Sequence, residues 1–351
     1  MGGKSSLKDI DESSVGAQYN TPRAQLRTHF HLVASWSGTY GTHCKFPNLM
    51  PKFSCGRSIT KGSIELHMSD PLHFKQELTA VFGSPVAENP SQVIVEAAYR
   101  HHGLDWRYLT VEVKSEQLRD AVMGARAMGF RGFNCTIPHK VAVIPFLDGL
   151  GDSAKVMGAV NCVVRRGDQL IGENTDGKGF LQSLRTMMDP IGKRVVIFGA
   201  GGAARAISVE LALAGAASII IVNRDVNRGQ ALVSLLNAAV KAKVELVAWR
   251  DEYVVPSGVD VVINATSIGL YPDIAARLSL DTSSLTSAMV VADVIPNPPD
   301  TKLLHDARAR GCQVIDGLSM LVNQGIIGVE YWTGITPNAV VMRQALEKVF
   351  A

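Results

Sequence analysis

Cysteine is scarce in this chain and follows no pattern. The 351 residues hold five, Cys44, Cys55, Cys135, Cys162 and Cys312, with no CxxC and no cluster with histidine. Such spacing offers neither a metal site nor a disulfide framework, and it points to buried thiols in a reducing, cytoplasmic setting. Net charge is also small, +3 at pH 7, which gives no reason to expect nucleic acid or an acidic membrane as partner. Long hydrophobic runs are missing too. The apolar stretches are strand-sized and broken by Gly or Asn, too short to span a bilayer. What is there is a chain 46% hydrophobic and 19% charged, ordered in character, with enough length for two domains and a sizeable core.

Residues 1 to about 70 differ from the rest. They are rich in Ser, Gly and Thr, hold four of the nine histidines, and show no sustained period. We read 1–70 as a poorly ordered or non-native extension, with Met68 in GSIELHMSDP as a candidate natural start. The early acids Asp9, Asp11 and Glu12 speak against a targeting peptide. From Glu77 onward strands and helices alternate. LTAVFG (78–83), WRYLTVEV (106–113) and FNCT read as strands. SQVIVEAAYRHHG (91–103) and SEQLRDAVMGARAMG (115–129) read as helices, the second with a Ser-x-x-Leu start and a glycine stop. VNCVVRR and QLIGEN flank a GD turn. After Asp189-Pro190 six further strands follow: RVVIFGA, SIIIVNR, VELVAW, VDVVINA, MVVADV and CQVID. Two helices close the chain. Alternation at this spacing predicts an α/β fold of two domains. One is a substrate domain with a mostly parallel sheet, from 75–176 plus 317–351; the other is a Rossmann-like dinucleotide domain from 177–316.

The run VVIFGAGGAARAISVELALAG carries the dinucleotide fingerprint. Gly199 permits the tight turn, Gly201 lets backbone N–H groups approach a pyrophosphate, and the small Ala204 lets helix and strand pack closely. Gly202 and Ala203 open the helix, whose N-terminus adds partial positive charge toward phosphates. The plain alternative is a tight βα turn with no ligand. The next strand ends in Asn223, Arg224, Asp225 and, a turn later, Arg228. An acidic residue here selects NAD through the ribose hydroxyl, and arginine accommodates the extra phosphate of NADP. Asp225 could pair with either arginine or repel a phosphate. Two cations against one anion favour NADP, with NAD the alternative.

The first block has its own polar set near strand ends and loops: Asn134, Thr136, Lys140, Asn161, Asn174 and Asp176. A lysine beside an aspartate can exchange a proton with an alcohol oxygen while a nicotinamide handles hydride. Each residue also has a structural reading. Lys140 could be an exposed helix-start lysine, Asp176 a turn or cap residue, and Asn134 and Asn161 could satisfy loop backbone. No metal ligand set is evident.

Taken in order, GSPV (83–86), GFNCTIPHK (132–140), GAVNCV (158–163), GENTDGKGF (172–180), GAGGAARA (199–206), NRDVNR (223–228), NATSIGL (264–270), TKLL (301–304) and DGLSMLVNQG (316–325) resemble the shikimate dehydrogenase family over about residues 78–351. The resemblance implies NADPH-dependent reduction of 3-dehydroshikimate to shikimate, a step of aromatic amino acid biosynthesis. It implies Lys140 and Asp176 as catalytic pair, and Thr136, Asn161 and Gln324 as substrate ligands. Thr266 and Ser267 would lie near the nicotinamide, and Gly317 would also bind the cofactor. The implied partners are a small cyclic hydroxy acid and, as an open option, a second copy of the chain. A non-catalytic sensor of shikimate-like ligands is the competing reading, since folds are reused as binding modules.

Two departures fall at one end of the implied substrate. The family pattern has two serines that hold the carboxylate; Ser91 matches the second, but Asn89 stands for the first. A family tyrosine that also reaches the carboxylate is replaced by Pro296, whose ring donates no hydrogen bond. Asn89 can still donate. Losing one hydrogen bond to a charged group costs about 1.5–3 kcal/mol, or roughly ten- to a hundredfold in affinity. We therefore expect weaker shikimate binding, or a related preferred substrate such as quinate or an amino-substituted shikimate.

Overall fold

A computed structural model describes residues 74–350; the expectations for 1–70, Met68 included, lie outside the described residues. The first sheet begins with β1 (Glu77–Gly83), helix α1 (Ser91–His101), β2 (Trp106–Glu112), α2 (Leu118–Ala127) and β3 (Gly132–Cys135). Next come α3 (His139–Ala142), β4 (Gly149–Leu150), α4 (Asp152–Met157), β5 (Cys162–Arg166), β6 (Gln169–Glu173) and α5 (Asp176–Arg185). Strand order is β2-β1-β3-β5-β6-β4. β1 runs parallel to β2 and β3, and β4 parallel to β6. β5 is antiparallel to both neighbours, β3 and β6, and the two-residue turn Gly167–Asp168 folds it back on β6. The expected helix at Ser115 begins instead with a 3-10 turn, Ser115–Gln117, and no side chain caps it.

The second sheet is built from β7 (Arg194–Phe198), α6 (Gly202–Leu213), β8 (Ser218–Asn223), α7 (Val226–Ala239), β9 (Lys243–Ala248), β10 (Val261–Asn264), β11 (Val290–Asp293), α8 (Lys302–Ala309) and β12 (Gln313–Ile315). Its order, β12-β11-β10-β7-β8-β9, is parallel throughout. From the other edge this reads third, second, first, fourth, fifth, sixth, the doubly wound order of dinucleotide-binding sheets. Both faces are covered, so the strands are apolar on both sides. Val195 and Ile197 face the core under α6, and Val196 and Phe198 face the opposite core with Trp249 and Leu304.

Helices α9 (Gly317–Thr333) and α10 (Ala339–Phe350) return to the first sheet. Val322, Ile326, Val329 and Met342 pack there with Ile94, Tyr99 and Tyr108. Helix α5 lies between α6 and α9. A Cβ at Gly177 would stand 2.2 Å from Ala206 O, and one at Gly179 would stand 2.6 Å from Gln324 N. The seam between the two sheets is thus closed by backbone against backbone, and side chains of ordinary size would force it apart.

Candidate active site

Lys140 and Asp176 come from different strand ends. β3 ends at Cys135, and past Thr136 and Ile137 the residue Pro138 opens the short helix α3, which carries Lys140. Asp176 is the first residue of α5, after β6. Lys140 Nζ donates to Asp176 Oδ2 at 2.7 Å. The pair is part-buried, the lysine side chain 35% exposed and the aspartate 20%, so it meets solvent on one side.

Asparagines surround the carboxylate. Asn161 Nδ2 donates to Asp176 Oδ1 at 2.8 Å and to Thr175 Oγ1 at 3.0 Å. Asn174 Oδ1 accepts from Asp176 N, and Asn174 Nδ2 donates to Ala159 O. Gln324, on α9, is buried; its Oε1 lies 3.4 Å from Thr175 Oγ1 and its Nε2 donates to Leu321 O. Thr136 lies between β3 and α3, with its N–H given to Phe82 O. The nearby thiol of Cys135 is pushed up to about 12 by burial, against the lowering pull of Lys140. It stays neutral near pH 7 and is no nucleophile.

Ser91 begins α1 and is buried. Asn89 Oδ1 accepts from Ser91 N at 2.9 Å, so half of its amide serves the helix start. Asn134 has its amide engaged inside the protein: Tyr108 Oη donates to Asn134 Oδ1 at 2.6 Å, and Asn134 Nδ2 donates to Asn161 O at 2.9 Å. Of the two readings of Asn134, the backbone-satisfying one matches these bonds. Pro296 lies half-buried, next to Ile295, whose carbonyl would be 2.1 Å from a Cβ on Gly317. Gly317 therefore serves close packing at the start of α9.

A cavity of about 360 Å³ joins the pair to the glycine turn, with Lys140, Asp176 and Asn174 on one side and Gly201, Gly202, Arg205 and Arg228 on the other. Gly199, at φ 107°, makes the turn. A Cβ at Gly201 or Gly202 would meet no atom within 4 Å, so these positions are open toward a ligand. Helix α6 starts there with no capping side chain and no acid in its first turn, leaving backbone N–H groups for an anion. Neither the Arg205 nor the Arg228 guanidinium joins an ion pair among the described residues. This donor set fits a dinucleotide phosphate. Asp225 turns away from it, capping α7 by accepting from Arg228 N at 3.1 Å. Arg224 stands over the Trp249 ring, 6.0 Å from its centroid, and does not line the cavity; Asn223 Nδ2 donates to Asp225 O.

Ala203 lies in the first turn of α6. Thr266 is bound into its own turn, its Oγ1 donating to Asn264 Oδ1 at 2.7 Å, and Ser267 is exposed beside it. The sequence reading missed Arg205, although four residues from Gly201 is one helical turn. It also gave Asn174 no role. Among the described residues there is no cluster of three metal-ligating side chains and no helix long and apolar enough to cross a membrane.

Family profiles match most of the described chain. Residues 81–163 match the shikimate dehydrogenase substrate binding domain, 183–301 the shikimate/quinate 5-dehydrogenase domain, and 317–347 the shikimate 5′-dehydrogenase C-terminal domain. A shikimate dehydrogenase (NADP(+)) of Geobacter metallireducens is 40% identical over 77% of this chain and 96% of its own. The ligand-free crystal structure of 5-ketofructose reductase from Gluconobacter sp. strain CHM43 is 56% identical, with TM-score 0.77 over 79% of this chain and 100% of its own. Shikimate 5-dehydrogenase of Listeria monocytogenes, solved with shikimate and NAD, is 31% identical, with TM-score 0.72 over 79% of this chain and 98% of its own. Motifs, doubly wound sheet and near-complete coverage of these relatives agree: the chain belongs to the shikimate dehydrogenase family.

Proposed function

We propose that this protein is an NADP(H)-dependent reductase that interconverts a ketone and a secondary alcohol on a small polyhydroxylated substrate. Lys140 and Asp176 move the proton. The observation that carries this reading is the 2.7 Å pair opening onto the same cavity as the uncapped start of α6. A bound reduced nicotinamide supplies the hydride. The Lys140 ammonium stands ready to protonate the oxygen that gains charge, and in reverse its amine accepts the alcohol proton. Asp176 orients the ammonium, and the solvent-facing side of the pair lets it recover a proton from water. The unpaired Arg205 and Arg228 favour NADP over NAD. Thr136, Ser91, Gln324 and Asn89 are the side chains offered to substrate hydroxyls.

For the substrate we favour a neutral keto-sugar of the 5-ketofructose type over shikimate. Two observations support this. Asn89 and Pro296 stand where the family places carboxylate-binding hydroxyls, and a neutral polyol has no carboxylate to satisfy. Identity is also higher to the 5-ketofructose reductase (56%) than to the Geobacter shikimate dehydrogenase (40%). The retained Ser91 and Thr136 keep 3-dehydroshikimate, quinate and their analogues as the second reading.

A panel decides between them: 5-ketofructose and 3-dehydroshikimate with NADPH, and shikimate and quinate with NADP⁺ and NAD⁺, followed by absorbance of reduced nicotinamide. We expect kcat/KM for 5-ketofructose to exceed that for 3-dehydroshikimate. The reverse order would restore the shikimate assignment, and binding without turnover of any would make the protein a sensor.

A further inference from the structure

The strand order of the second sheet reverses between β7 and β10, and a dinucleotide lies across the crevice at such a point. Arg228, in the helix that follows β8, sets the phosphate-bearing adenosine half on the β8 side. The nicotinamide half then passes over the end of β10. The turn that leaves β10 walls this part of the crevice: a Cβ on Gly199 would stand 2.8 Å from Ala265 O and 3.2 Å from Thr266 Cγ2.

A chain of buried bonds holds that turn. β10 ends at Asn264 and β11 at Asp293, and the two residues stand opposite each other. Asn264 Oδ1 accepts from Thr266 N at 3.0 Å and from Thr266 Oγ1 at 2.7 Å. Its Nδ2 donates to Ile268 O at 3.3 Å and to both Asp293 oxygens, at 3.1 and 3.2 Å. Asp293 also accepts from Ile295 N at 3.1 Å and from Thr301 Oγ1 at 2.8 Å. Asn264 is 1% exposed and Asp293 2%. Each donor to Asp293 is neutral, and among the described residues this carboxyl joins no ion pair. A carboxylate is costly to bury without a cation. What it offers is acceptance at about four places, which here tie the β10 turn to the loop after β11.

We propose that Asp293 is a positioning residue for the nicotinamide half of the cofactor. Buried behind the crevice, it acts through the Asn264 amide, which fixes the 265–268 turn against Gly199. The inference rests on the dinucleotide part of the reading above and adds to it a residue outside the cavity.

The test compares two ligands. NADP⁺ fills the whole crevice, and adenosine 2′,5′-bisphosphate only its adenosine half. Burial pushes Asp293 up to about 6, so at about pH 8 the wild-type group is ionised. Asp293→Asn then sets an amide against the donors of Asn264, Ile295 and Thr301. By calorimetry it weakens NADP⁺ binding about tenfold and leaves the bisphosphate within about twofold. The fluorescence gain of NADPH on binding shrinks, and kcat at saturating NADPH falls about tenfold, because the hydride donor is no longer held in one place. A residue that served folding alone would move both ligands together or neither. Thr301→Val keeps nearly the same shape and withdraws one donor from Asp293 Oδ2. It carries the same split, about threefold, should Asp293→Asn fail to fold. Equal losses for the two ligands, or unchanged NADP⁺ binding in a folded variant, would overturn the proposal. A wild type that binds NADP⁺ but reduces no ketone sinks the proton-transfer reading, and the split still decides this one. A wild type that binds neither ligand sinks both.

Discussion

Replacing Lys140 by methionine removes the ammonium and keeps most of the side-chain volume. Its cost to folding is small. Lys140 is 35% exposed and its one ion pair is with Asp176, and pairs this open to solvent contribute at most about 1 kcal/mol. Its cost to turnover is large. A positioned proton donor contributes about a hundred- to ten-thousandfold to rate, and among the described residues no other ammonium or guanidinium lines the first-sheet side of the cavity. Asp176 would remain, held by Asn161, but a carboxylate facing a developing alkoxide repels it. We therefore expect kcat of Lys140→Met to fall about a thousandfold, with NADPH affinity held by Gly201, Gly202, Arg205 and Arg228. The assay pairs nicotinamide absorbance under saturating ketone with fluorescence titration of NADPH, and a thermal melt controls for folding. A kcat within about threefold of wild type, with the fold intact, would remove Lys140 from the chemistry and the proton-transfer reading with it.

Three further outcomes are expected. Arg228→Ala weakens NADP binding about ten- to a hundredfold while NAD binding barely moves; equal losses for both, measured by titration, would mean that this guanidinium does not meet the extra phosphate. Pro296→Tyr returns a phenol to the carboxylate end and lowers the shikimate KM about tenfold without improving 5-ketofructose; no change for shikimate would place the substrate's carboxylate elsewhere. Asp293 is pushed up from 3.8 to about 6 by burial, against hydrogen bonds from Thr301, Asn264 and Ile295 N. A raised folded-state value in an acid means that its stabilising contribution is present below the unfolded value and is lost as pH rises through about 6. A rise from 3.8 to about 6 corresponds to about 3 kcal/mol. Melts of wild type and Asp293→Asn should therefore show wild type losing ground relative to the variant between about pH 4 and pH 7, and a gap that widens in wild type's favour over that range contradicts the burial of a protonated carboxyl.

Much of this architecture is local in origin and so could be read in one dimension. Strand and helix alternate in the second block at the spacing of crossover units, and GAGGAA follows directly on VVIF; the parallel sheet and its open glycines follow from those facts. What escaped is what local pattern does not encode. Gly149–Leu150, His139–Ala142 and Asp152–Met157 are too short to show a period, and they exist because neighbours already in place supply their partners. The arginines of the second block diverge in place. Arg205 and Arg228 line the cavity, whereas Arg224 lies toward Trp249, a contact made across the fold that local pattern does not show.

Asn161 marks the boundary between the two kinds of information. The turn at Gly167–Asp168 sets Cys162 opposite Glu173, and continuing that register brings Asn161 opposite Asn174, at the doorstep of Asp176. Its position beside the Asp176 carboxylate was therefore recoverable from hairpin length alone. Its hydrogen-bond partners were not, because they depend on Thr175 being turned inward against Gln324, a residue 149 positions away on α9. A family resemblance transfers the residue and its place. Which atom its amide serves depends on that distant packing, because α9 against α5 holds Thr175 where Asn161 meets both it and Asp176.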